Sequence, residues 1–249
     1  MTRSTLALLL VAAACGGKPA PAPVAPPPPT HEPIHENPAA DDDDGGGDGV
    51  SLEGQKGHMD PKAIEAGLQP HQEELEGCFT SQVSKRRFLG GKVELKWQIG
   101  ADGTLASVQI ATSDLGAWPV EKCLLDISRG MTFTKPKGGA TDFSIPLEFV
   151  GKQSSTWWDE DAGTAAVKNH MRDLAKCDKA PTRRPDDATI TAYVGARGKV
   201  VSVGFATAQT SGLDPDTWDA WATCAEKRIL GWQLPDPRGQ IAKLTFHYP

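Results

Sequence analysis

The 249-residue chain lacks several things that would have pointed to familiar activities. It has no apolar run approaching the ~20 residues that a membrane-spanning helix needs. It has no excess of positive charge, with 26 Lys and Arg against 32 Asp and Glu, so nothing in its charge suggests a nucleic-acid partner. It has no P-loop, no G-x-S-x-G nucleophile elbow and no C-x-x-C among its five cysteines. Its six histidines are scattered: His31 and His35 lie in a proline-rich stretch, His58 borders it, and His71, His170 and His247 fall one to an element. The run Asp159-Glu160-Asp161 reads as a solvated loop. No catalytic, cofactor or metal site is assigned, and a non-enzymatic role is the expectation.

What is present is organised around one stretch, Lys92 to Ser113. Val93, Leu95, Trp97 and Ile99 alternate with Lys92, Glu94, Lys96 and Gln98, the pattern of a strand with one buried face. Gly100-Ala101-Asp102-Gly103 then turns the chain, and Leu105, Val108 and Ile110 begin a second strand. The pattern recurs. Ile190 and Val194 stand where Leu95 and Ile99 stood, Gly195-Ala196-Arg197-Gly198 replaces the turn 95 positions on, and Val200, Val203 and Phe205 follow. A hairpin copied at domain spacing implies two similar small units.

Each copy is flanked alike. Asp60-Pro61 and Asp214-Pro215 read as an N-cap followed by proline in the first helical turn. Ile64, Leu68, Leu75, Phe79 and Val83 keep a helical stripe broken at Pro70. Val120, Leu124 and Ile127 form a second stripe that Gly130 stops, and Phe143, Ile145, Leu147 and Phe149 alternate as a closing strand. In the second copy, residues 166–177 supply the first helix, Trp218, Trp221, Ala222, Ala225 and Ile229 one face of the next, and Ile241, Leu244, Phe246 and Tyr248 the closing strand. The expected fold is α+β, with two tandem α-β-β-α-β domains at 58–152 and 153–249. Each would hold a three-stranded antiparallel sheet and two helices.

The N-terminal residues read as an address and a tether. Arg3 followed by the apolar run Leu6 to Val11 has the form of a bacterial secretory signal over residues 1–14. Ala12-Ala13-Ala14-Cys15 resembles the lipobox of bacterial lipoproteins. That resemblance implies cleavage before Cys15, lipidation of its thiol and, with Gly16 following, placement in the outer membrane facing the periplasm or the cell surface. Residues 15–57 are a tether in which prolines favour an extended chain of ~3.1 Å per residue and the Asp41 to Asp44 and glycine runs favour disorder. Within it His31-Glu32-Pro33-Ile34-His35 matches the H-E-x-x-H zinc-protease pattern. That chemistry needs both imidazoles on one helical face, which Pro33 denies.

Gly-x-Val before the alternating strand, Asp102-Gly103, Ser113-Asp114, Cys123-Leu124 and Phe133-x-x-Pro136-x-Gly138-Gly139 together resemble the AgmX/PglI-type C-terminal domains of gliding bacteria, relatives of the TonB C-terminal domain. The second copy resembles them more faintly, through Trp232-x-Leu234-Pro235 and Gly239. The family's usual Trp and Pro are replaced near Met131 and Thr134. The resemblance implies a non-enzymatic domain that binds partners by presenting sheet edges.

Apart from Cys15 there are four cysteines, which permit three pairings. The repeat selects Cys78 with Cys123 and Cys177 with Cys224. In the oxidising periplasm each bond would close a loop of about 46 residues and contribute roughly 4 kcal/mol on chain-entropy grounds. The leading functional expectation is a lipid-anchored envelope scaffold or adaptor binding a periplasmic protein through a sheet edge, in a motility, transport or secretion assembly. Pro146 would block part of the first edge, leaving Ile241, Leu244, Phe246 and Tyr248 as candidate partner-binding residues, together with Trp157 and Trp158. The alternatives are a peptidoglycan or polysaccharide binder using those tryptophans, and a metal-binding or hydrolytic protein working through the His/Asp tether.

Overall fold

The computed structural model describes residues 57–178, 186–208 and 214–248; Cys15, the signal and nearly all of the tether lie outside them. His58 is strapped to Lys137, with the His58 N–H donating to Lys137 O at 2.8 Å and the Lys137 N–H returning to His58 O at 2.9 Å. Helix α1 (Pro61–Leu68) starts where Asp60 accepts the Lys62 N–H, and Pro61 occupies the first turn. Pro70 converts Gln69–His71 into a 3-10 turn before α2 (Gln72–Val83). Strands β1 (Gly91–Ile99) and β2 (Leu105–Ser113) form the first hairpin, followed by α3 (Trp118–Arg129) and β3 (Thr141–Phe149). The sheet is antiparallel, in the order β2-β1-β3.

The second half runs β4 (Thr156–Trp157), α4 (Glu160–Val167), α5 (Met171–Leu174), β5 (Ala188–Val194), β6 (Val200–Ala206), α6 (Pro215–Ile229) and β7 (Ala242–Tyr248). Its sheet has four strands in the order β4-β7-β5-β6. The core of that order, β6-β5-β7, matches β2-β1-β3. The hairpin turns match atom for atom as well. Gly100 N–H donates to Thr104 O and Gly195 N–H to Lys199 O, both at 2.8 Å; Gly103 N–H donates back to Gly100 O and Gly198 N–H to Gly195 O. Both expected disulfides are present, Cys78–Cys123 joining α2 to α3 and Cys177–Cys224 joining the turn after α5 to α6.

Two features differ from the sequence expectation. The second sheet is mixed, because β4 adds in parallel beside β7. The expected single helix over 166–177 is instead α4 and α5 with a turn between them. A two-residue strand carries no periodicity, so nothing in the residue pattern announced β4.

The described residues form one compact unit. Val93, Leu95, Trp97 and Ile99 are buried under α2 and α3, as their alternation requires, and Trp97 stacks on Phe143 at 5.3 Å. Sheet two is covered on both faces. Ile190 and Phe205 face the inner aromatic cluster, where Trp118 of α3 packs against Phe205 and Trp218 at 5.7 and 6.2 Å. The opposite-face residues Thr191, Tyr193 and Ser202 are also buried, against the first half. Their hydroxyls donate to Ser113 O, Gly90 O and Gly116 O at 3.2, 2.8 and 2.7 Å. One hydrophobic cluster therefore runs through both halves.

Candidate docking site

A docking site on a small α+β scaffold is where backbone or side chains stay unsatisfied by the fold itself. Each sheet has two edges, and the four edges have different fates. The β2 and β6 edges meet each other. Thr207 N–H, one residue past β6, donates to Ile110 O of β2 at 2.9 Å. Phe205 N–H on β6 donates to Oε2 of Glu121 at 2.7 Å, and Ser113 Oγ donates to Oε1, also at 2.7 Å. Glu121 is completely buried. Burial pushes its carboxyl up to about 7, against the opposing pull of the Ser113 and Phe205 hydrogen bonds. Gly204 makes room: a Cβ there would run into both carboxylate oxygens.

The seam carries further charge. Arg129 on α3 grips Asp219 on α6 with both terminal nitrogens, at 2.7 and 3.0 Å, and Lys122 adds a third contact at 3.1 Å. Burial alone would raise the Asp219 carboxyl; the Arg129 guanidinium overrides it and holds the carboxyl below its ordinary value.

The β3 edge is exposed but blunted. Lys92 turns both backbone groups toward β2, its N–H to the Asp114 carboxylate and its C=O to the Asp114 N–H. By strand alternation Gly91, Val93, Leu95, Trp97 and Ile99 then face β3. Their partners Phe149, Leu147, Ile145, Phe143 and Thr141 face back, so Ser144, Pro146 and Glu148 direct their backbone outward. Pro146 has no N–H to offer, and Glu148 sets a charge beside it.

The β7 edge is only partly covered. Thr156 N–H donates to Ile241 O at 3.1 Å and Trp158 N–H to Lys243 O at 2.8 Å. The odd-numbered residues of β7 thus face β4, and alternation sends the backbone of Thr245 and His247 the same way. After Trp158 the chain leaves the sheet, because the Asp159 carboxylate caps α4 by accepting the Ala162 N–H at 3.0 Å. The two remaining rungs open into a groove of about 560 Å³ lined by Trp157, Trp158, Met171, Leu244, Phe246 and His247. Helix α4 packs on β7 at Gly163, where a Cβ would make an ordinary 3.6 Å contact with the Leu244 Cβ.

Trp157 is held in place yet 60% exposed. The Lys243 ammonium lies 4.6 Å from its ring centroid. That ammonium is itself buried, 3.0 Å from Gly90 O and 3.3 Å from the Asp114 carboxylate. Burial pushes the Lys243 amine down, and Asp114 opposes that shift.

Four of the six residues expected to meet a partner, Trp157, Trp158, Leu244 and Phe246, line this one groove. The other two have different places. The Ile241 carbonyl is occupied by Thr156, and Tyr248 is buried with its hydroxyl on Asp178 at 2.7 Å. Sequence reasoning missed Glu121 and Lys243. Glu121 had a visible signal: Ala117, Trp118, Glu121, Leu124, Leu125 and Ser128 fall on one helical stripe, and Glu121 is the single charge in it. Lys243 had none, since its position on the outer face of β7 looks solvated until the first half covers it.

No family model, curated protein or solved structure matches the chain.

Proposed function

We propose that this chain is a non-enzymatic, lipid-anchored adaptor of the cell envelope, built of two tandem TonB-C-like units at 58–152 and 153–249. Its open β7 edge takes an extended segment of a periplasmic protein as an added strand. Cys15 anchors it to the outer membrane, and the proline-rich tether sets its reach. The observation that carries the reading is the pair of rungs at Thr245 and His247 that no described residue pairs, lying in line with β4 above an aromatic groove. An extended peptide satisfies such rungs with its own N–H and C=O groups, and its alternate side chains would enter between Leu244, Phe246 and Met171. The partner is a segment with a small or apolar residue at every second position, not a folded surface, because the accessible edge is two residues long.

The chain contains its own control. In strand register Pro146 lies opposite Glu94, and His247 lies opposite Thr189, which stands 95 positions on from Glu94, so Pro146 corresponds to His247, the outward rung next to Thr245. Thr245→Pro therefore places on the β7 edge, at the neighbouring outward rung, the device that already blunts β3. A photo-crosslinking residue at His247 should yield one discrete adduct in intact cells, one at Ser144 should not, and Thr245→Pro should abolish the first. Adducts of equal yield at both edges, or an adduct that persists in a folded Thr245→Pro protein, would overturn the reading. Anchoring is tested separately by labelled fatty-acid incorporation, which Cys15→Ser should eliminate.

A further inference from the structure

We propose that a second cleft beside Trp157 binds a pyranose unit of a glycan. This cleft has a volume of about 480 Å³, within the range of small-molecule sites. It shares Trp157, Trp158 and Asp159 with the edge groove, and its far wall is the turn Asp236-Pro237-Arg238-Gly239-Gln240. The proposal does not rest on strand addition, because none of its polar groups belongs to the β7 rungs.

Three observations point to a sugar. Trp157 presents a large aromatic surface to water while its backbone sits between the rungs made by Thr156 and Trp158, and the Lys243 ammonium packs on its ring. An aromatic plane held open in this way suits a ligand with one flat apolar face, and a pyranose has such a face in its axial C–H groups. The opposite wall is shaped with care. Arg238 adopts φ +59°, a left-handed conformation that a β-carbon disfavours, and Gly239 N–H closes the turn onto the Asp236 carboxylate at 2.6 Å. Such an outlier is a reason to look for function at the residue that carries it. Finally, the rim mixes acceptors and donors. Asp159 and Asp236 are fixed by their own backbone hydrogen bonds, and Arg238 and Gln240 lie beside them. A ring of hydroxyls, each both donor and acceptor, satisfies that mixture. A phosphate would be repelled by the two carboxylates, and an acyl chain would leave the rim unsatisfied.

The test uses the folded protein with chitotetraose, cellotetraose and purified sacculi. In a heteronuclear NMR titration the Trp157 indole N–H resonance should shift saturably with at least one tetrasaccharide. Trp157→Ala should weaken binding at least ten-fold. Arg238→Gly, which suits the left-handed backbone while removing the guanidinium, should weaken it several-fold without changing the remaining spectrum. Binding of both tetrasaccharides supports a hydroxyl-reading site, and binding of chitotetraose alone supports one that also reads the acetamido group. Thr245→Pro should leave glycan binding intact, which separates this site from the edge. The proposal is overturned if neither tetrasaccharide nor sacculi perturb Trp157, or if Trp157→Ala binds as tightly as the parent.

Discussion

Glu121 offers the sharpest test of how the two halves hold together. Its carboxyl ionises near 4.5 in an unfolded chain and at about 7 in the folded one. The folded protein therefore holds this proton more tightly than the unfolded chain does. The resulting stability is fully present below about pH 4.5 and is lost as pH rises through 7. At roughly 1.4 kcal/mol per pH unit the gap is worth about 3 kcal/mol. When protonated, Glu121 can donate to Ser113 Oγ through one oxygen and accept the Phe205 N–H with the other. Glu121→Gln reproduces that arrangement at every pH, its amide donating and its carbonyl accepting. The variant should match the parent near pH 5 and exceed it by about 3 kcal/mol near pH 8.5. In guanidinium unfolding with the disulfides intact, that corresponds to a midpoint difference of roughly 0.5–1 M that grows with pH. Parallel pH profiles for parent and variant would refute the assignment. So would a variant that is weaker at every pH, which would mean that the carboxylate form is the one the seam needs.

Two further outcomes follow from the same seam and from the disulfides. Gly204→Ala drives a methyl into the Glu121 carboxylate, so it should destabilise by about 1–3 kcal/mol, and pairing it with Glu121→Ala should recover part of the loss by chemical denaturation. Replacing Cys177 and Cys224 together by alanine should cost about 2–5 kcal/mol, as should Cys78 with Cys123; non-reducing peptide mapping should find only these two pairs, and a crossed Cys78–Cys177 species would contradict the repeat.

Much of the architecture was legible in the residue pattern because it depends on interactions close in sequence. The alternation from Val93 to Ile99, the Gly-containing turns 95 positions apart, the Asp-Pro helix starts and the 45- and 47-residue cysteine spacings each encode a local requirement. Strand sterics, positive φ, capping and loop closure act whatever the rest of the chain does, so two copies of one motif announce themselves. The way the copies meet was not legible. Thr191, Tyr193, Ser202 and Lys243 are polar residues at positions that a lone sheet would expose. They are buried because a second layer packs on them and offers Gly90 O, Ser113 O and Gly116 O as partners. A backbone carbonyl looks the same at every position in a sequence; only its placement decides which hydroxyl it receives. The docking edge has the same origin. Sequence chose the residues of β7, but a two-residue strand and the helix that departs after Trp158 decided that Thr245 and His247, and not Ile241 or Tyr248, are the rungs left open.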